Sequence, residues 1–198
     1  MVATRVRFAL VALTLCAVAA LAGVLLAERR VDQGMELTDG WAGALRPQGQ
    51  RVPEFSLKDQ DGNTVTSASL EGRPVVYAFV YSTCRDTCPA QVQTIRGALD
   101  DVGSDVRVIG ISVDPANDTP ERAKAFLLKQ SMTGRMDFLM GSREQLAPVW
   151  KGFAIQPQQA NLEHSAHTVL ADPRGFQRVG FPFDFLTSER LAHDLRRL

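Results

Sequence analysis

The chain has 198 residues, 45% of them hydrophobic, and its 22 Lys and Arg are balanced by 22 Asp and Glu. That length holds one domain with additional sequence, the apolar content is ample for a core, and a formal charge of zero leaves no basic excess to draw nucleic acid. Three cysteines, at 16, 84 and 88, are too few for a disulfide framework, so the close pair is the informative one.

Residues 1–7 carry Arg5 and Arg7 and read as a cytoplasmic n-region. Phe8 to Ala27 is an unbroken run of apolar and small residues closed by Glu28-Arg29-Arg30, about the ~20 residues that a membrane-spanning helix needs. The run is long for a cleaved signal, although Ala20-Leu21-Ala22 is an acceptable cleavage site. A retained single-pass anchor in the inner (cytoplasmic) membrane is the preferred reading, with the rest of the chain on the periplasmic or exterior side. Cys16 follows Leu13-Thr14-Leu15, which lacks the small residues of a lipoprotein signal, and reads as an ordinary apolar position. Residues 28–52 contain four glycines and Pro47 with no sustained period, as expected of a linker. Removing residues 1 to 50 is therefore expected to leave the domain, residues 53–198, intact.

From Pro53, Phe55-Ser56-Leu57-Lys58 and Thr64-Val65-Thr66 alternate around Asp59-Gln60-Asp61-Gly62-Asn63, which predicts a hairpin. Val75 to Tyr81 is a continuous β-branched and aromatic run, the pattern of a strand buried on both faces. Cys84 and Cys88 lie on the turn that follows, Pro89 suits a first helical turn, and Val92, Ile95 and Leu99 have helical spacing. A second apolar strand spans Asp105 to Pro115, and Thr119-Pro120-Glu121 opens a helix. Met136 to Met140 is a short strand, and Ser142-Arg143-Glu144-Gln145 has the form of a capping box. Thr168 to Ala171, a turn at Asp172-Pro173-Arg174-Gly175, and Phe176 to Phe181 make a last hairpin before a helix capped at Thr187. Alternating strands and helices imply a largely parallel sheet with an antiparallel addition, and a cysteine pair after the first central strand points to an α/β, thioredoxin-like fold.

Helix starts stabilise thiolates, and Arg85 adds positive charge. Thioredoxin-type reductants use Cys-x-x-Cys; with three intervening residues the sulfurs are better spaced to grip a metal than to oxidise, although oxidation stays open. Of the three histidines, His193 sits on an amphipathic helix and reads as structural, whereas His164 and His167 precede the strand beside the cysteine strand. Two thiolates and one imidazole suit copper, and zinc would ask for a fourth ligand.

Tyr81-Ser-Thr-Cys84-Arg-Asp-Thr-Cys88-Pro89, with Ser112-Val113-Asp114-Pro115, Asp118-Thr119-Pro120 and His164-Ser165 before Asp172-Pro173, resembles the Sco/SenC family of copper-binding, thioredoxin-fold proteins. The resemblance covers Pro53 to the C-terminus. It implies a membrane-anchored chaperone that delivers copper, one ion per domain, to the dinuclear copper centre of cytochrome c oxidase. The copper-bearing oxidase subunit would be its partner, with copper donors and thiol reductants as further ones. By this likeness Cys84, Cys88 and His164 are the copper ligands and Cys84 and Cys88 also form a redox-active disulfide; His167 is a second histidine that the pattern does not require. The alternative is a thiol-disulfide oxidoreductase that keeps oxidase cysteines reduced. Peroxidase chemistry is disfavoured, because Thr83 stands too close to Cys84 for the peroxiredoxin arrangement.

Overall fold

A computed structural model of the chain describes residues 14, 16–19, 37–103, 105–158 and 166–198. The chain forms two units, Met1–Glu36 and Leu37–Leu198. In the first, residues 16–19 are helical, and most of the expected membrane segment 8–27 lies outside the described residues. Among the described residues no helix is long and apolar enough to cross a membrane.

The second unit is organised by its two least polar runs, Val75–Val80 (β4) and Arg107–Ser112 (β5), which pair in parallel. Asp137–Leu139 (β6) continues the parallel set beyond β5. On the other side of β4, His167–Ala171 (β7) and Gln177–Pro182 (β8) add as an antiparallel hairpin. Ala44–Leu45 (β1) closes that edge against β8, giving the order β1-β8-β7-β4-β5-β6. Ser56–Lys58 (β2) and Thr64–Thr66 (β3) form the separate predicted hairpin.

Strand alternation sends Val76, Ala78 and Val80 to one face of the sheet, where they meet Thr87–Val102 (α1), Pro120–Lys129 (α2) and Ser188–Leu195 (α4). Val75, Tyr77 and Phe79 face the other way, onto Arg143–Phe153 (α3) and the β2–β3 hairpin. All six residues of β4 are buried, which is why the strand reads as uniformly apolar. The helix starts follow their local chemistry. Thr119 Oγ1 accepts from Arg122 N–H, Thr187 Oγ1 from Arg190 N–H, and Ser142 and Gln145 make both halves of the capping box.

The boundary of the domain differs from the sequence reading, which carries the linker to residue 52. In the structure residues 37–52 belong to the folded unit. Asp194, buried in α4, accepts from the N–H groups of Ala42 and Gly43 at 2.8 and 2.9 Å. A Cβ at Gly43 would strike the side chains of Val179 and Phe181, so glycine lets this segment lie directly on β8. Trp41 packs into the core, and the guanidinium groups of Arg178 and Arg197 both lie over its ring. Both residues of β1 are exposed, so the strand carries no hydrophobic period to be read.

Candidate metal centre

β4 and β5 deliver their chains to the same edge of the sheet, where open α/β folds place their chemistry. After β4 the chain turns through Tyr81 to Cys84 and enters α1 at Thr87. Asp86, at the N-cap, makes no side-chain capping bond. Sulfur takes that role: Cys88 N–H donates to Cys84 Sγ at 3.3 Å, and Thr87 Oγ1 lies 3.8 Å from the same sulfur. Cys84 is 8% exposed and Cys88 fully buried, and the two are not joined in a disulfide.

The pair is electrostatically unequal. Its hydrogen bond with the Cys88 side chain, together with the backbone N–H groups of Asp86 and Cys88 and the Tyr81 hydroxyl, lowers the Cys84 thiol to about 4 against the opposing effect of burial. The same shared hydrogen bond, and then burial, push Cys88 far up. Tyr81 is also raised, by burial first and then by its bond to Cys84, so its hydroxyl stays a donor. The fold thus lowers Cys84 and raises Cys88, which favours charge on Cys84 and the shared proton on Cys88.

The loop bearing Cys84 is braced from below by Asp118, just before α2. Its carboxylate accepts from Ser82 N–H at 2.7 Å and from the hydroxyls of Ser82 and Ser112. Ser112 ends β5, and its carbonyl oxygen accepts from Trp150 Nε1 at 2.9 Å. Loop, strand, α2 and α3 are thereby fixed to one another around a carboxyl whose pKa burial raises.

His164 lies outside the described residues. His167 opens β7 with the parity of Val169 and Ala171, which face α3, whereas the cysteines pack with the opposite face. Burial, then the charge of Arg46, lowers its pKa. Among the described residues no group of three His, Cys, Asp or Glu gathers to hold a metal, so His167 does not join the cysteines. His193 Nδ1 sits 2.9 Å from Asp194 Oδ1, beside the clip on residues 42 and 43, in the structural role its helix suggests.

Three supporting residues carried no role in the sequence reading. Tyr81 and Asp118 stand inside the quoted motifs, and their position there was the available sign. Gln91, fully buried on α1, donates to His167 O and Thr168 Oγ1, and nothing in the sequence marks it beyond being polar on a helix face that otherwise packs inward.

A thioredoxin-like domain with a thiolate and a thiol at the first turn of the helix after its central strand defines a class of protein that exchanges disulfides or binds soft metals at that turn. The SCO1/SenC family model matches residues 43–198, and the chain belongs to that family. It is 33% identical over 99 residues to the SCO1 protein homolog of Bacillus subtilis, covering 48% of this chain and 51% of that protein. To protein SenC of Rhodobacter capsulatus it is 32% identical over 130 residues, covering 61% and 58%. The chain thus spans between about half and three fifths of the length of these two relatives. Among solved structures it is similar to Bradyrhizobium japonicum ScoI with copper bound, at 32% identity and a TM-score of 0.64 over 74% of this chain and 98% of that one. It is also similar to BsSco, described as a member of the Sco family of cytochrome c oxidase assembly proteins with a disulfide switch, at 25% identity and a TM-score of 0.66 over 77% and 95%.

Proposed function

We propose that the chain is a membrane-anchored copper chaperone that receives one copper ion per domain on Cys84, Cys88 and His164 and passes it to the dinuclear copper centre of a cytochrome c oxidase. Family membership supports the cargo, and the placing of the sulfurs carries the reading: both lie at the start of α1, where the Cys88 side chain, and then the Cys88 N–H and its neighbours, lower the Cys84 thiol toward the ionised form that a metal needs. Soft sulfur and imidazole favour copper, and three ligands leave it open to attack by an acceptor's ligands. Cys88 gives up its proton on binding, and Tyr81 and Asp118 hold the loop in place while the sulfurs are exchanged for those of the acceptor. Anchoring by residues 8–27, with the domain in the periplasm, would hold donor and acceptor at the same membrane.

The inequality of the thiols favours a second reading, a thiol-disulfide reductase. Cys84 thiolate would attack a partner disulfide, forming a mixed disulfide and releasing one partner thiolate; Cys88, once deprotonated, would then displace the second and leave a Cys84–Cys88 disulfide for an external thiol to reduce. Copper stoichiometry and the disulfide potential, measured on one purified sample, separate the two. A chaperone binds one copper when reduced; a reductase binds copper substoichiometrically and has a potential close to that of its thiol donor.

A further inference from the structure

A groove of about 310 Å³ opens beside Cys84, between the cysteine loop and α2. Pro89, Ala125 and Phe126 supply its apolar surface, and Arg85, Arg122 and Lys129 its charge. Arg122, Ala125 and Lys129 are spaced three and four apart on α2, which puts them on one helix face. Among the described residues no acidic side chain lines the groove and none of its three cations is in an ion pair. Arg122 is held in place through a 2.7 Å bond to the Asn117 carbonyl oxygen, which leaves its charge uncompensated. The opposite edge of the sheet differs, since Arg107 and Arg135 there are matched by Asp137 and Asp100. Leu128, next to Lys129 on the same helix, is 72% exposed.

An apolar floor, an unbalanced positive wall and a cysteine side chain at one end describe a cradle for a polypeptide. We infer that this groove docks an extended, acidic segment of the partner protein and presents that segment's cysteine to Cys84. The inference rests on the proposed function in one respect, that exchange with a protein partner takes place at Cys84. Exposed charges of this kind act chiefly on the rate and orientation of encounter, and salt screens them.

The test uses the reduced full chain in detergent and three peptides alike except for the residues flanking a single cysteine, which are Glu, Gln or Lys. Each peptide cysteine is activated as its mixed disulfide with thionitrobenzoate. Cys84 thiolate attacks the peptide sulfur, a Cys84–peptide disulfide forms, and thionitrobenzoate leaves with the electron pair of the broken bond. Its absorbance gives the rate. The Glu peptide is expected to react about tenfold faster than the Lys peptide at low ionic strength, with the ratio collapsing near 1 M salt. R122E/K129E should invert the order, R122Q/K129Q should shrink it to what Arg85 alone supports, and R73E/R135E, with the same change of net charge at the far edge where Arg73 lies beside Arg107 and Arg135, should leave it standing. Equal rates for the three peptides, or a preference that survives R122E/K129E, overturns the inference. Copper stoichiometry on the same samples reports the chaperone reading separately: copper lost with the peptide preference intact removes that reading and leaves the groove.

Discussion

Gln91, three residues after Cys88, donates to the carbonyl oxygen of His167 at 2.8 Å, a bond that ties the cysteine helix to the first residue of β7. A second bond from the same nitrogen reaches Thr168 Oγ1 at 2.9 Å. The amide cannot be reversed, because a carbonyl only accepts. Among the described residues Gln91 Oε1, also buried, has no hydrogen-bond partner. The two-bond clamp thus fixes the start of β7, three residues after His164 in the sequence, relative to the cysteine helix. Gln91→Leu is expected to lower stability in urea by roughly 1–3 kcal/mol and to speed copper loss to a chelator. An unchanged rate of copper loss would confine Gln91 to folding.

The unequal thiols give a pH dependence with a definite sign. Cys84, ordinarily at 9.0, is lowered to about 4 in the fold, so ionised Cys84 stabilises the reduced protein fully above 9 and loses that contribution as pH falls toward 4. Cys88 is shifted upward, so it opposes the fold only as pH rises above 9. Urea midpoints of the reduced protein should fall between these limits more steeply than those of Cys84→Ser. Mass spectrometry after iodoacetamide at about pH 6 should find Cys84 modified and Cys88 intact. Calorimetry in buffers of different ionisation enthalpy should show about one proton released per copper near neutrality, from Cys88.

Much of this architecture was legible because its causes are local. The uniform apolar runs of β4 and β5, the Asp59–Asn63 turn and the caps at Thr119, Ser142 and Thr187 each act within a few residues, and each formed as its pattern implies. The cysteine turn was legible for the same reason, since strand, loop and helix are contiguous. What escaped depends on distant partners. Asp118 meets Ser82 across 36 positions, Gln91 meets His167 across 76, and Asp194 meets Ala42 across 152. No periodicity encodes such pairings, and β1, two exposed residues held by them, was consequently assigned to the linker.

Asp118 is the acceptor for three donors under the cysteine loop. Asp118→Ala leaves Ser82 N–H without its acceptor and frees the loop, and a loss of about 3 kcal/mol is expected. The Cys84 thiolate should become more basic as its N–H donors lose their alignment. Alkylation rate against pH measures this: the inflection moves upward in Asp118→Ala, whereas a merely destabilised fold would leave it in place.

Truncation separates linker from domain. Deleting residues 1–36 should leave a cooperative unfolding transition, while deleting 1–50 removes Trp41, β1 and both backbone donors to Asp194 and should lower the midpoint sharply. Asp194→Ala should reproduce part of that loss, about 3 kcal/mol, from the stranded Ala42 and Gly43 N–H groups. Equal midpoints for the two deletions would return residues 37–50 to the linker.

Copper titration of the reduced chain, run in parallel on His164→Ala and His167→Ala and on the Cys84–Cys88 disulfide form, tests the assigned ligands most directly. The reduced chain should take up one copper with a thiolate-to-copper absorption band; His164→Ala should lose stable Cu(II) and that band; and His167→Ala, altered on the α3 face, should keep both. The disulfide form should take up none, because only reduced, deprotonated sulfur is a ligand. Full copper uptake by the oxidised chain, or a normal band in His164→Ala with loss in His167→Ala, would contradict the assignment of copper to Cys84, Cys88 and His164.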